Sequence, residues 1–235
     1  MIEVRPFDGL GHANHGWLDA HHHFSFAEYM DPNRMAVGPL RVWNDDTIAP
    51  QSGFPPHGHR DMEIITYVRE GAITHEDNLG NRGRTVAGDV QIMSAGTGIQ
   101  HSEFNLEDET TRIFQIWIIP NRDGHAPRWE TKTFPRGENA GELVMLASGR
   151  AGDAATDIPI IHQDAALFGA KLGNGQMVTH KLSAGRQAYL VPSKGSLMVN
   201  GTAANERDGV VIIDENEVQI TATGDAEFVL ADLPQ

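Results

Sequence analysis

Two closely spaced pairs of side chains are the part of this sequence best suited to chemistry. His57 and His59 are separated by one glycine, and His101 and Glu103 are separated by one serine. Side chains two positions apart in a β-strand point to the same face of a sheet, so each pair can present two ligands together. Imidazole nitrogens and carboxylate oxygens suit a first-row divalent metal ion, and the chain has no cysteine to offer a thiolate. The spacing therefore predicts a metal site to which both pairs contribute.

Histidines near strand ends also occur as half-buried hydrogen-bonding groups, which is the ordinary explanation for a lone histidine. Two pairs at strand spacing favour a metal site over that explanation. The distribution of histidine points to the same part of the chain, because ten of the 12 histidines lie in the first 135 residues. Any histidine-rich site is therefore expected in the first half.

The elements that position these pairs are predicted to be strands. The chain has 235 residues, with 25 glycines and 12 prolines, which are too many for a helical bundle and indicate many turns. Residues 111–120 form the clearest predicted buried strand, and they carry Gln115 and Trp117 as candidates for the surroundings of the site. Residues 62–68 are predicted as a core strand, and if they continue the register of His57 and His59, then Glu63 faces inward with them.

The charge and the composition exclude several classes of function. A net charge of -14 argues against direct binding of nucleic acid, which requires a basic surface. The amino terminus lacks the pattern of a secretory signal, and no apolar run approaches the ~18 residues that cross a bilayer. We therefore expect a cytoplasmic protein that does not bind membranes.

The second half of the sequence repeats the first in outline. Residues 67–71 and 88–92 resemble residues 189–195 and 209–213 in pattern, which predicts a duplicated β unit. We expect a metal-binding domain over residues 1–135 and a degenerate, metal-free domain over residues 136–235. The second copy lacks a His-x-His motif, and Ala222 stands where the first copy has His101.

Residues 11–30 are irregular and rich in histidine and aromatic side chains. Two interpretations stay open. The segment either folds over the mouth of the metal site, or its aromatic side chains hold an amino-terminal arm against the barrel wall.

The motifs around the predicted ligands resemble those of the cupin superfamily, whose fold is a small jelly-roll β-barrel. The pattern is carried by Gly53, His57, His59, Glu63, Gly88, Gly96, His101 and Asn105. Longer strings are similar to the pirin family of bicupins: Asn14-His-Gly-Trp-Leu-Asp19, His23-Phe-Ser-Phe26 and Met93-Ser-Ala-Gly-Thr-Gly-Ile99. The resemblance implies an all-β fold of two tandem cupin barrels.

The resemblance also implies a ligand set. In pirins both pairs hold the metal, and the corresponding residues here are His57, His59, His101 and Glu103. The general cupin pattern instead places its carboxylate a few residues after His-x-His, at Glu63. The residues leave this choice open, whereas the pirin resemblance favours Glu103 and leaves Glu63 to orient a histidine ring.

Metal identity decides what such a site can do. The resemblance implies one divalent ion, Fe²⁺ first, with zinc, manganese, nickel, cobalt or copper also compatible with these ligands. Four protein ligands around octahedral iron leave two open positions, whereas the same four around tetrahedral zinc close the site.

Pirin-like proteins of this type are quercetin 2,3-dioxygenases, which open the heterocyclic ring of a flavonol with O₂ and release CO. The resemblance thus implies a flavonol-like substrate, with Glu103 accepting the proton of the 3-hydroxyl. We expect the flat rings to lie against an apolar wall formed by Ile113, Phe114, Ile116 and Trp117.

Two other functions stay open. The first is a non-enzymatic, redox-sensitive metal protein that regulates a protein partner. The second is a metal-dependent isomerase or another small-molecule cupin enzyme. We expect a monomer in each case.

Overall fold

The computed structural model describes residues 1–133, 141–154 and 157–235, and nearly all of their regular structure is β. The strands of the first half are β1 (Ile2–Arg5), β2 (Gly11–Asn14), β3 (Leu18–His22), β4 (Leu40–Ile48), β5 (Ser52–His59), β6 (Glu63–Glu70), β7 (Ala72–Asp77), β8 (Arg82–Val86), β9 (Asp89–Ser94), β10 (Ile99–Asn105), β11 (Thr111–Ile118) and β12 (Arg128–Thr133). The strands of the second half are β13 (Val144–Ser148), β14 (Ala166–Leu172), β15 (Met177–Lys181), β16 (Arg186–Lys194), β17 (Leu197–Val199), β18 (Thr202–Ala204), β19 (Gly209–Ile213), β20 (Glu217–Ala222) and β21 (Ala226–Pro234).

Helical structure in these ranges consists of two short 3₁₀ turns, Phe7–Gly9 and Ala151–Asp153. Neither is long and apolar enough to span a membrane.

The first half forms a barrel of two facing sheets. A seven-stranded sheet has the order β12-β9-β6-β11-β4-β3-β2, and a four-stranded sheet has the order β5-β10-β7-β8. The pairing within both sheets is antiparallel, as in a jelly roll. The two predicted ligand pairs lie on the adjacent strands β5 and β10 of the smaller sheet.

The second half forms a similar barrel, from a six-stranded sheet in the order β1-β19-β16-β21-β14-β13 and a four-stranded sheet in the order β15-β20-β17-β18. The expectation of an all-β fold with two cupin barrels is therefore confirmed. Apolar side chains fill the interior of this second barrel, including Phe168, Leu190, Ile220, Ala222 and Phe228.

The amino-terminal strand belongs to the sheet of the second barrel. Residues Ile2–Arg5 pair antiparallel with Gly209–Ile213. The predicted boundary between residues 135 and 136 falls outside the described residues, so the domain limits stay a proposal. The chain nevertheless crosses from one barrel to the other soon after residue 5.

The largest apolar cluster lies between the two large sheets. It includes Trp43 and Phe114 from the first barrel and Tyr189 and Leu233 from the second, all fully buried. The ring centroid of Trp43 is 5.6 Å from that of Phe114 and 5.5 Å from that of Tyr189. One face of the seven-stranded sheet therefore packs against the second barrel, and the other face is left to line the interior of the first.

Candidate metal centre

Three of the predicted ligands converge on one point inside the first barrel. Strands β5 and β10 pair antiparallel, and His101 lies directly opposite His57. One ligand atom from each of His57, His59 and His101 lies within 4.8 Å of the others. The ring centroids of His57 and His101 are 4.5 Å apart, and those of His59 and His101 are 5.0 Å apart. This spacing brings three imidazoles within reach of a single ion.

The turn before β10 depends on a glycine. Gly96 has a φ of +46°, in the left-handed region, and a Cβ at this position would lie 2.0 Å from the carbonyl oxygen of His125. The register between β10 and β5 also shifts between His101 and Glu103, which marks a bulge. Backbone irregularities on both sides of His101 therefore set its direction.

The hydrogen bonds of His57 fix which of its nitrogens is free. Its Nδ1 lies 2.8 Å from the carbonyl oxygen of Pro55. A carbonyl oxygen can only accept, so Nδ1 carries a proton, and in the neutral form of the ring Nε2 retains its lone pair.

His101 presents an unsatisfied nitrogen at the same place. It is 3% exposed, and its Nε2 is buried and has no hydrogen-bond partner within the described part of the chain. Buried polar atoms are nearly always paired, so an orphaned imidazole nitrogen beside two other histidines is the arrangement expected of a metal ligand.

Burial keeps two of these imidazoles neutral. Burial, followed by the charges of neighbouring histidines, lowers the pKa of His59 to about 4 and that of His101 to about 3. Both rings are therefore uncharged at neutral pH, which is the form that donates a lone pair to a metal.

Glu103 lies beside His101 and is held by three side chains. Its Oε2 accepts a hydrogen bond from Nε2 of Gln115 at 2.8 Å, and its Oε1 accepts from Thr66 Oγ1 at 3.1 Å and from Gln91 Nε2. Ligand atoms of Glu103, His101 and His75 lie within 4.8 Å of one another, although Glu103 is not in the three-histidine group. One lone pair of Oε2 stays unused by these bonds.

Glu63 lies on the face of the seven-stranded sheet that points away from the three histidines. Its Oε2 accepts a hydrogen bond from Ser94 Oγ at 2.7 Å, and it also accepts one from the backbone N–H of His162 in the second half of the chain. The expectation that Glu63 continues the register of His57 and His59 is wrong, because the chain turns at residues 60–62, where Asp61 has a φ of +46°. Ile64 and Thr66 therefore face the barrel interior, and a role for Glu63 in orienting a ligand does not fit its position.

Taken together, the donors fit a first-row divalent ion. They comprise three clustered imidazoles, one of which has a buried nitrogen without a partner in the described part of the chain, and an adjacent carboxylate whose position is fixed by hydrogen bonds.

The three histidines and Glu103 line a cavity of about 740 Å³. This volume lies within the range of about 300–1,000 Å³ typical of small-molecule sites. Much of its wall is apolar and aromatic, and this part includes Leu18, Phe26, Phe54, Ile64 and Trp117. Several residues between His12 and Tyr29 contribute to the lining, so the amino-terminal segment lies at the site; whether it covers the mouth stays a prediction.

Of the four residues on β11 that were expected to form an apolar wall of the site, one lines the cavity. Trp117 lines the cavity, and its ring lies edge-on to His59 at 5.0 Å. Phe114 and Ile116 point the other way, into the core between the barrels, because neighbouring residues of a strand alternate between faces. Ile113 shares a face with Trp117 and packs against the same apolar cluster as Leu18 and Phe54, but it does not itself line the cavity. The predicted neighbour Gln115 does line the cavity.

Sequence reasoning missed the polar side chains on β4. Asn44 and Asp46 line the cavity, and Asn44 Oδ1 accepts a hydrogen bond from Nδ1 of His22 at 2.9 Å. Burial, followed by the charges of Asp45 and Glu103, raises the pKa of Asp46 well above its usual value. The sequence signal that could have identified these residues is the two-residue spacing of Asn44 and Asp46 in a buried strand.

A further histidine cluster lies on the β2–β3 hairpin. His12 Nε2 lies 2.8 Å from Asp19 Oδ1, and His21 Nδ1 lies 3.6 Å from the same oxygen. Burial lowers the pKa of His21, and so does the positive charge of Arg207. That charge opposes binding of a cation here, so this cluster is a weaker candidate for a metal site than the three-histidine cluster.

Two family models match the chain. The model described as Pirin matches residues 3–118, and the model described as quercetinase C-terminal cupin domain matches residues 145–233.

Full-length relatives are similar over the whole chain. A quercetin 2,3-dioxygenase of Escherichia coli K12 is 43% identical over 235 residues, which cover 100% of this chain and 99% of the relative. A pirin-like protein of Caulobacter vibrioides is 61% identical over 232 residues, which cover 99% of each. Among solved structures, the bacterial pirin YhhW of Escherichia coli in complex with nickel(II) superposes with a TM-score of 0.92 at 43% identity, over 100% of this chain and 99% of that one.

Proposed function

Because this chain belongs to the pirin family of bicupin proteins, we propose that it is a metal-dependent quercetin 2,3-dioxygenase, an oxidoreductase acting on flavonols. The proposed reaction opens the heterocyclic ring with O₂ and releases CO, and the proposed metal is Fe²⁺. The observation that carries the proposal is a cluster of three imidazoles on the wall of a cavity of about 740 Å³.

The proposed ligands are His57, His59, His101 and Glu103. The metal would supply Lewis-acid activation of the flavonol oxygen and a site for reaction with dioxygen. The nickel(II) bound by the relative from Escherichia coli supports a divalent ion at this kind of site.

Glu103 is the proposed general base for the 3-hydroxyl proton. Gln115, Thr66 and Gln91 donate hydrogen bonds to its carboxylate, which hold it in place as an acceptor. A positioned base of this kind contributes about 10²–10⁴-fold to a rate.

The cavity wall supplies the proposed fit to a planar polyphenol. Phe54 and Trp117 offer aromatic surfaces near the histidines, and apolar walls exclude water from the bound rings. Asn44 and Asp46 offer polar atoms for the hydroxyl groups of the substrate.

Quercetin consumption by the iron-loaded protein tests the proposal. We expect the wild type to consume quercetin and O₂ and to release CO, and we expect His101→Ala to lose at least 100-fold in kcat/KM together with bound iron. His162→Ala is the matched control, because His162 lies outside the cavity lining, and it is expected to retain activity.

Equal slow turnover by the wild type and by His101→Ala would contradict the enzymatic proposal. Elemental analysis of protein purified without a histidine tag then distinguishes an enzymatic metal site from a structural or regulatory one. Full occupancy by zinc without turnover would favour a structural or regulatory metal site.

A further inference from the structure

His75 is a buried histidine next to the metal centre that the proposed reaction does not use. It lies on β7 and is fully buried, and its register partner on β10 is Glu103. Its ring stacks on Trp129, with centroids 4.8 Å apart and an interplanar angle of 9°. Its ring centroid is also 5.2 Å from that of His101.

The hydrogen bonds of His75 form a chain with a defined direction. Nε2 of His75 lies 3.0 Å from Oδ2 of Asp77. Because a carboxylate accepts, Nε2 carries the proton, and in the neutral ring Nδ1 is then the acceptor. Nδ1 of His101 lies 3.4 Å from that acceptor.

The direction of this hydrogen-bond chain bears on the tautomer of His101. If its Nδ1 donates to His75, the proton of the neutral His101 ring is on Nδ1, and the lone pair is on Nε2. Nε2 of His101 is the buried nitrogen that has no partner among the described residues.

Asp77 is itself firmly held at the end of β7. Its Oδ1 accepts from the backbone N–H groups of Leu79 and Asn81 at 2.9 and 3.0 Å, and its Oδ2 accepts from Asn81 Nδ2 at 2.9 Å. The hairpin turn after β7 thus holds the carboxylate of Asp77 in place, and this carboxylate in turn holds the ring of His75.

We propose that His75, held by Asp77, is a positioning residue that sets the tautomer of His101 and so directs its Nε2 lone pair toward the metal ion. This inference rests on the proposed metal site. Side chains that hydrogen-bond to a histidine ligand commonly change metal affinity by about 10–100-fold.

Two substitutions at His75 separate this role from a merely structural one. His75→Asn keeps an oxygen acceptor close to the position of Nδ1, whereas His75→Phe keeps a ring against Trp129 but removes the acceptor. Nickel(II) affinity is measured by competition with a chelator, and ¹⁵N NMR of the metal-free proteins reports the tautomer of His101.

We expect His75→Asn to bind nickel(II) within a few-fold of the wild type and to keep the Nδ1–H tautomer of His101. We expect His75→Phe to bind about 10–100-fold more weakly and to show a mixture of tautomers. An Nε2–H tautomer of His101 in the metal-free wild type would overturn the proposal, and this measurement does not depend on the folding of any variant.

The same experiment distinguishes failure of this inference from failure of the metal site. Absence of nickel(II) binding by the wild type would overturn the metal site itself. Normal wild-type binding with unchanged affinity and tautomer in His75→Phe would overturn only the role of His75. Loss of one nitrogen donor from the nickel(II) spectrum in both variants would also overturn it, because His75 would then be a ligand.

Discussion

At the scale of single residues, the cavity is marked by polar groups whose partners are missing or whose protonation is shifted. Nε2 of His101 and Oδ1 of Asp46 are both buried without a hydrogen-bond partner in the described ranges. Such groups destabilise a fold, and they persist where the site has a use for them. A substitution of Asp46 tests directly how far such a group destabilises the folded protein.

We predict that Asp46→Asn raises the melting temperature at pH 7. The pKa of Asp46 is raised in the folded protein by burial, so the folded state holds its proton more tightly than the unfolded chain does. Stability from this group is therefore present at low pH and is lost as the pH rises above the unfolded pKa, whereas asparagine does not titrate.

Thermal melts of both proteins between pH 3 and pH 8 measure this effect. The advantage of Asp46→Asn should shrink toward pH 3, where aspartate is protonated in both states. An advantage that is equally large at pH 3 and pH 8 would show that burial of a titrating acid is not its cause.

At the scale of elements, strand alternation distributes the residues of the large sheet between two functions. On β11, Gln115 and Trp117 face the cavity, and Phe114 and Ile116 face the second barrel. The glycine-dependent turn before β10 and the bulge within β10 then orient the candidate ligands. The precision of the site is thus set by short backbone segments.

Gly96 is predicted to be essential to that geometry. Gly96→Ala forces a Cβ against the carbonyl oxygen of His125 at a positive φ, so we expect it to lower stability by about 2 kcal/mol or more and to weaken nickel(II) binding. Gly201→Ala is the matched control, with a φ of +79° but nothing within 4 Å of the added Cβ.

Chemical denaturation and chelator competition measure both effects. The control is expected to lose about 1–2 kcal/mol of stability and no metal affinity. Wild-type nickel(II) affinity in Gly96→Ala would show that the turn does not position the ligands.

At the scale of the whole molecule, the two barrels share one core and a buried ion-pair network. Asp45 is fully buried and accepts hydrogen bonds from Nη1 of Arg69 at 2.9 Å and from Nε of Arg207 at 2.5 Å. Arg69 also donates to the carbonyl oxygen of Ser193 at 2.9 Å. One carboxylate thus joins a strand of the first barrel to the second half of the chain.

We predict that Asp45→Ala costs about 3–5 kcal/mol of unfolding free energy, because it leaves buried arginine charge without its partner. Glu76→Ala, which removes an exposed pair with Arg82, is the comparison and is expected to cost about 1 kcal/mol or less. Equal costs for the two variants would contradict a structural role for the buried network.

Thermal melts of the wild type also test whether the two barrels unfold together. All 4 tryptophans lie in the first 135 residues, so their fluorescence reports the first barrel, whereas far-UV circular dichroism reports both. The shared core predicts coincident transitions.

The fold class, the duplication and the candidate ligand pairs were all predictable from the sequence alone. These follow from local rules, because two-residue spacing places His57 with His59 on one face, and family-specific strings surround them. The same local rules failed for Glu63, where three residues of turn between β5 and β6 move the chain into the other sheet and reverse the expected face.

The surroundings of the candidate ligands depend on the tertiary structure and could not be predicted from spacing. Asp46 reaches the cavity, and Asp77, His75 and His101 form a chain, because strands distant in sequence are brought side by side in two sheets. Spacing along a chain specifies the face of a strand but not which strand lies opposite, and closure of the barrel supplies that second piece of information.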